Sequence, residues 1–178
     1  DGRIRHTLAP WTWRALAPDV PVSVAAATFV AKARSAIGRG IRYMLGQGGR
    51  DPGDALPSRT GFCDCSGFIA WLIGVNRDAN PRYPQYIHTD AIYKDATTKQ
   101  VTFRRIARPQ VGCLAVYPDY RDGSGKLRQG HTAVVSSVFP LTIIDCGESA
   151  NGITERAGTV FFKHNTVWCV PTSQSLVA

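Results

Sequence analysis

The sequence has no apolar run long enough to cross a membrane. A transmembrane helix needs roughly 20 consecutive apolar residues, and the most apolar early segment, residues 20–30, is interrupted by Ser23 and Thr28 and leads into Lys32. The same segment lacks the basic start and the cleavage site of a signal peptide. We therefore expect residues 20–30 to belong to the folded domain, and we expect no insertion into a membrane.

The paired ligands of a zinc site are also missing. Cys63 and Cys65 are closely spaced, but no second Cys/His pair follows to complete a set of four ligands. We expect no metal and no cofactor. The five cysteines leave at least one thiol unpaired. If the protein is exported, one disulfide is possible among the other four cysteines. These are Cys63, Cys113, Cys146 and Cys169.

The chain contains no internal repeat, no low-complexity tract and no domain linker. Its 178 residues are best explained as one domain, 1–178, which is long enough to bury a core. Residues 1–21 are rich in proline and tryptophan and are expected to form an irregular arm. Residues 22–100 are expected to be mainly helical, and residues 101–178 mainly antiparallel strands.

The charge is strongly basic, with 21 Lys and Arg against 13 Asp and Glu and a net charge of +8. Such a surface attracts polyanions, including nucleic acid, anionic membrane surfaces and cell-wall polymers with peptide carboxylates. The basic residues are scattered rather than gathered in one patch. We therefore expect no nucleic-acid partner.

The periodicity of apolar residues changes near residue 100. Helical spacing with suitable ends predicts helices at 23–37, 65–74 and 89–95. From residue 101 the apolar residues occur in short, β-branched and aromatic runs between turns, typical of strands; the runs are VTFRRI, CLAVY, HTAVVSSV, LTIIDC, TVFF and TVWCV. This order predicts an α+β fold in which an antiparallel sheet packs on the cysteine-bearing helix.

The segment GFCDCSGFIAW, residues 61–71, carries the strongest chemical signal. Cys65 stands where a loop enters an apolar helix, and the unpaired N–H groups and dipole of a helix N-terminus favour the thiolate. The small residues Ser66 and Gly67 leave room for a carbonyl group, and the Cys65 amide can donate to an oxyanion. This pattern predicts a nucleophile rather than a buried, inert thiol.

A thiol nucleophile needs a base, and His131 opens the strand-like run GHTAVV. His164 is the rival candidate. A base also needs a residue that orients its ring, and Asp145 lies one predicted strand later, where pairing of neighbouring strands could bring it beside His131. Glu148 and Asn151 are the alternatives to Asp145.

Two further residues are candidates for substrate binding. Tyr43, in IRYMLGQGG, is either a core aromatic or part of a cleft beside the thiol. Asp64 could serve only to pin the loop. Because a carboxylate facing the nucleophile would disfavour the thiolate, binding a substrate amine is the functional role that suits Asp64 better.

Several of these motifs together resemble the NlpC-type cysteine endopeptidases, bacterial cell-wall hydrolases with a minimal papain-like fold. The resemblance spans about 33–146 and includes RYMLGQGG, CDCSGFIAWL, RPQVGCLAVY and GHTAVV. It implies a cysteine-bearing helix packed on a short antiparallel sheet. It also implies cleavage of peptidoglycan stem peptides, commonly between D-glutamate and a diamino acid.

By this resemblance Cys65 is the nucleophile, His131 the base and later the acid, and Asp145 the third polar residue. Tyr43 corresponds to the cleft tyrosine of the family, and Asp64 and Ser66 to the positions that hold the amino end of the stem peptide. Two positions depart from the family pattern. Cys113 stands where the family usually has Gly-Asp, and Asp145 stands where it usually has histidine.

The function predicted from the sequence is therefore a secreted or periplasmic, bacteriolytic thiol protease that degrades the cell wall. The alternatives are a CHAP-type amidase that cuts the sugar–peptide amide, a papain-like acyltransferase or deamidase, and a non-catalytic wall-binding module. The predicted partners are peptidoglycan stem peptides. An inhibitor or immunity protein would be a further partner if the protein is a toxin.

Overall fold

The computed structural model describes residues 24–78 and 87–172, and its helices precede its main sheet. The helices are α1 (Val24–Ser35), α2 (Cys65–Leu72) and α3 (Thr89–Thr97). All three predicted helices are present with small differences in their bounds, and Ser23 and the predicted N-terminal arm lie outside the described residues. Glycines in the left-handed conformation follow two of the helices, Gly38 after α1 and Gly74 after α2.

Two short strands, β1 (Arg42–Tyr43) and β2 (Phe62–Cys63), pair in parallel just before α2. The main sheet has six strands, each antiparallel to its neighbours. These are β3 (Phe103–Ile106), β4 (Leu114–Tyr117), β7 (His131–Val138), β8 (Leu141–Gly147), β9 (Gly152–Ala157) and β10 (Val167–Pro171). A separate hairpin of β5 (Tyr120–Arg121) and β6 (Leu127–Arg128) joins β4 to β7.

The strand order is β3, β10, β4, β7, β8, β9. Two features of this sheet differ from the prediction. The strand β9 was not expected, because its sequence GITERA is polar and occupies a sheet edge. The strand predicted at 159–162 is wrong, since Thr159–Lys163 is a 3₁₀ helix. After β9 the chain must cross the sheet to enter between β3 and β4, so this segment has no neighbouring strand to pair with.

The sheet has a core on each face. The three helices cover one face, where Phe68 and Ile69 of α2 pack with Val134 and Ile144 of the central strands. A smaller apolar cluster covers the other face and includes Tyr117, Ala133, Val135, Ile143 and Phe161. All eight residues of α2 are buried, which is typical of a helix that is apolar all round. The predicted α+β fold, with the cysteine helix packed on an antiparallel sheet, is confirmed.

Among the described residues, every helix is too short or too polar to span a bilayer.

Candidate active site

Cys65 is the first residue of α2, at the point where β2 turns into the helix. The preceding residue, Asp64, caps the helix, and its carboxylate accepts the Gly67 N–H at 2.7 Å. A side chain at Gly67 would place its Cβ 2.3 Å from the Gln47 carbonyl oxygen, so glycine is required there. The Cys65 side chain is thus fixed at a helix N-terminus, where backbone N–H groups and the helix dipole favour negative charge.

Asp64 and Ser66 belong to a buried polar network with Arg77. The Arg77 guanidinium donates to both Asp64 carboxylate oxygens, at 3.0 and 3.1 Å, and to the Ser66 hydroxyl at 2.9 Å. The same carboxylate accepts the Ser66 hydroxyl and the Gly46 N–H. The side chains of Asp64 and Arg77 are only 3% and 1% exposed, so the cation neutralises the carboxylate and fixes the loop in front of Cys65.

Arg77 was not expected from the sequence. It is a single arginine in a polar loop after α2, and no local pattern distinguishes it from a solvated surface residue. Its contact with Asp64 becomes visible only once the chain is folded.

His131 is the first residue of β7 and lies opposite Tyr117 of β4. A Cβ at the preceding residue, Gly130, would lie 2.4 Å from the Tyr117 carbonyl oxygen. Glycine is therefore the residue that allows β7 to approach β4 closely at this end. The His131 ring is fixed at the end of the sheet, with Phe161 stacked at a centroid distance of 5.9 Å.

The His131 ring joins Asp145 to Cys65. Its Nε2 lies 2.5 Å from the Oδ2 atom of Asp145, and the ring lies near the Cys65 sulfur, whose negative charge raises the pKa of the imidazole. Because Asp145 engages Nε2, Nδ1 is the ring nitrogen left for the thiol. The structure therefore places Cys65, His131 and Asp145 in the order of a nucleophile, a base and an orienting residue.

Asp145 lies on β8, and its side chain is completely buried. Besides the His131 ring, it accepts two hydrogen bonds from Arg156 of β9, at 3.1 and 2.5 Å. Burial favours the neutral acid, but the hydrogen bonds from His131 and Arg156 outweigh it and lower the pKa of Asp145. Asp145 is therefore a carboxylate at neutral pH. Arg156 was missed by sequence analysis because its strand was missed.

The alternatives for these roles lie elsewhere. His164 stacks on Tyr117 with ring centroids 4.1 Å apart. Glu148 and Asn151 lie in the exposed turn between β8 and β9. The side chain that hydrogen-bonds the His131 ring beside Cys65 is that of Asp145.

A cleft of about 150 Å³ opens beside Cys65. Its wall includes Tyr43, Asp64 and Ser66, the three residues assigned to substrate binding from the sequence. Burial is the main cause that raises the pKa of the Tyr43 hydroxyl, and the negative charges of the nearby Cys65 and Asp64 raise it further. This hydroxyl therefore stays protonated and can donate a hydrogen bond. Asp64 and Ser66 are already bonded to Arg77, and their role in holding an amine stays a prediction. Within 24–78 and 87–172, no three side chains are grouped to hold a metal ion.

We predict that the His131 imidazole stays protonated through neutral pH. Burial would lower its pKa, but the Cys65 thiolate and the Asp145 carboxylate raise the pKa of His131 to about 10. An ordinary imidazole titrates near 6.5, so this interaction stabilises the fold fully below pH 6.5, and the contribution is lost as the pH rises through 10. Ring ¹⁵N NMR against pH, assigned with a His131→Gln variant, measures it. A His131 signal that titrates near pH 6.5 would contradict the prediction.

We also predict that Cys65 is the thiol that reacts with iodoacetamide in the native protein near neutral pH. The other four cysteines are at most 1% exposed. The neighbouring Cys146 and burial raise the pKa of Cys63, and burial raises the pKa of Cys113 to about 12 and that of Cys169. Cys65 instead lines the cleft beside His131. Mass spectrometry should find one carbamidomethyl group, absent in a Cys65→Ser variant; labelling of a second cysteine at a similar rate would refute this.

Comparisons with known proteins give little further information. No protein-family model matches the chain, and no curated protein matches it in sequence. Among solved structures, the structure of NlpC1 from Trichomonas vaginalis is similar, with a TM-score of 0.47 and 15% sequence identity. The match covers 84% of this chain and 46% of that one. The chain therefore spans just under half the length of that protein, and the likeness is a weak one at the level of the fold.

Proposed function

We propose that this protein is a thiol hydrolase that cleaves an amide bond in the stem peptides of peptidoglycan. The observation that supports it most is the arrangement of three side chains. Cys65 lies at the N-terminus of a buried helix, and its sulfur lies near the His131 ring, whose Nε2 is 2.5 Å from the buried Asp145. A cysteine that only filled the core would need neither a histidine partner nor a cleft beside it.

The reaction begins with attack of the Cys65 thiolate on the substrate carbonyl carbon. The carbonyl oxygen becomes an oxyanion, to which the Cys65 backbone N–H in the first turn of α2 donates. The proton on Nδ1 of His131 passes to the leaving nitrogen, the C–N bond breaks, and the acyl group remains on the sulfur as a thioester. Asp145 keeps the ring oriented during this transfer.

Water then completes the cycle. The neutral His131 takes a proton from a water molecule as its oxygen attacks the thioester carbonyl. The C–S bond breaks, the acid product leaves, and the thiolate and protonated imidazole are restored. These steps require no cofactor.

The substrate class is supported by the sequence resemblance and by charge. The net charge of +8 favours association with an anionic wall polymer. The motif resemblance favours the bond between D-glutamate and the diamino acid. A site of action in the periplasm or outside the cell, and an inhibitor protein in a producing cell, belong to the same proposal.

The test is mass spectrometry of purified peptidoglycan after incubation with the protein, with a Cys65→Ala variant as the blank. We expect cysteine-dependent release of stem-peptide fragments whose masses correspond to cleavage after D-glutamate. Fragments cut at the sugar–peptide amide would instead identify an amidase. No cleavage of several wall types would refute the hydrolase, and transfer of the acyl group to an added amine would identify an acyltransferase.

A further inference from the structure

The buried Asp145 carboxylate is shared between two cationic side chains. Its Oδ2 atom lies 2.5 Å from Nε2 of His131 and 2.5 Å from Nη2 of Arg156, and its Oδ1 atom accepts the Nε–H of Arg156 at 3.1 Å. Asp145 is fully buried, whereas the Arg156 side chain is 34% exposed. The guanidinium thus reaches from the surface to the carboxylate that orients the candidate base.

The register of the sheet explains how this contact arises. Asp145 of β8 pairs with Thr154 of β9, and Ile143 pairs with Arg156. Asp145 and Arg156 are therefore diagonal neighbours on one face of the sheet, a separation that long side chains can bridge. The two hydrogen bonds use the planar fork of the guanidinium, which fits a carboxylate with two parallel donors.

We propose that Arg156 is a positioning residue of the candidate site, which holds Asp145 as the charged, oriented partner of His131 throughout the reaction. This inference rests on the proposed function. Arg156 is placed to act through Asp145, and no direct contact of its own with the substrate is involved.

The need for a second cation follows from the reaction itself. A buried carboxylate is stable as an anion only when it is paired and hydrogen-bonded. His131 is a cation only until it gives its proton to the leaving nitrogen, after which Asp145 faces a neutral ring. Without another cation, the buried carboxylate would compete for that proton. The guanidinium of Arg156 stays charged at every step, so Asp145 can remain an anion while the His131 proton moves.

Three variants test this role. Arg156→Ala removes the cation, and Arg156→Lys keeps the charge but loses the fork. Arg34→Ala is the matched control, because Arg34 forms a similar but exposed two-point pair with Glu155, the residue before Arg156 on the same strand. Two readouts are independent of wall hydrolysis. They are the ¹³C titration of the Asp145 carboxyl group by NMR and the pH dependence of Cys65 alkylation.

In Arg156→Ala we expect the Asp145 titration to move to higher pH by about 1 unit or more, because an adjacent arginine lowers a carboxyl pKa by roughly 1–3 units. We expect the acid limb of the pH profile of Cys65 alkylation to move in the same direction by a similar amount. Arg156→Lys should restore part of the shift, and Arg34→Ala should show none. In the hydrolysis assay, Arg156→Ala should lower kcat with little change in KM.

An unshifted titration and an unshifted alkylation profile in a folded Arg156→Ala protein would overturn this inference, even if the wild-type protein cleaves the wall. A shift of equal size in Arg34→Ala would also overturn it, because the loss of any positive charge near this edge of the sheet would then have the same effect. If Arg156→Ala does not fold, Arg156→Lys is compared with the wild-type protein instead. A Cys65 alkylation profile identical to that of the wild type at every pH would then contradict the role of the two-point hydrogen bond. Failure of the proposed function is seen separately, as absence of cleavage by the wild-type protein.

Discussion

Replacing His131 with alanine is expected to lower the rate of stem-peptide hydrolysis by at least about a thousandfold. His131 supplies the proton for the leaving nitrogen and later activates water, so its loss disables both halves of the reaction. Residues that act as one unit are strongly non-additive. A protein that lacks both Cys65 and His131 should therefore be no slower than the Cys65→Ala variant alone. The rates are measured as fragment release, quantified by mass spectrometry.

His164→Ala is the matched control for this prediction. His164 is also an imidazole near the site, but it stacks on Tyr117 and Tyr120, with centroid distances of 4.1 and 4.5 Å. We expect its replacement to change the rate by less than about tenfold, a minor effect beside those seen when a catalytic group is removed. A large loss in His164→Ala together with a nearly normal rate in His131→Ala would show that His164, and not His131, is the base. That result would contradict the proposed site.

The part of the site that could be predicted from the sequence is the part with a local signal. Cys65 follows a capping residue and precedes an apolar run, and this pattern marks a helix N-terminus without any knowledge of the fold. His131 follows a glycine and opens a β-branched run. Asp145 could be placed near His131 because successive antiparallel strands are usually neighbours. The structure brings these three residues together.

The residues that support the site could not be predicted in the same way. Arg156 contacts Asp145 through the register of β8 and β9, and β9 is an edge strand whose polar sequence lacks a strand-like apolar run. Arg77 reaches Asp64 from a loop 13 residues away in sequence. Both contacts pair a buried carboxylate with an arginine, and such pairs depend on tertiary geometry rather than on local pattern.

The buried pair of Asp64 and Arg77 should have the largest effect on stability. In an Asp64→Asn variant the side chain keeps its shape and can still cap α2, but the guanidinium of Arg77 loses its counter-charge while it remains only 1% exposed. Removing one partner of a buried pair costs about 3–5 kcal/mol. Since folded domains are stable by only about 5–15 kcal/mol, the variant should unfold at clearly lower urea and melt roughly 10 °C lower.

The control for this prediction is Asp78→Asn. Asp78 pairs with Arg50, and their side chains are 40% and 43% exposed, so solvent screens the charges and the loss should be below about 1 kcal/mol. Urea denaturation followed by circular dichroism measures both variants on the same scale. Equal losses would mean that solvent reaches Arg77 as readily as it reaches Arg50, and the loop before Cys65 would then not owe its rigidity to this pair. A large loss in Asp64→Asn alone would mean that the buried pair of Asp64 and Arg77 stabilises the loop that positions Cys65, and that this stabilisation does not depend on bound substrate.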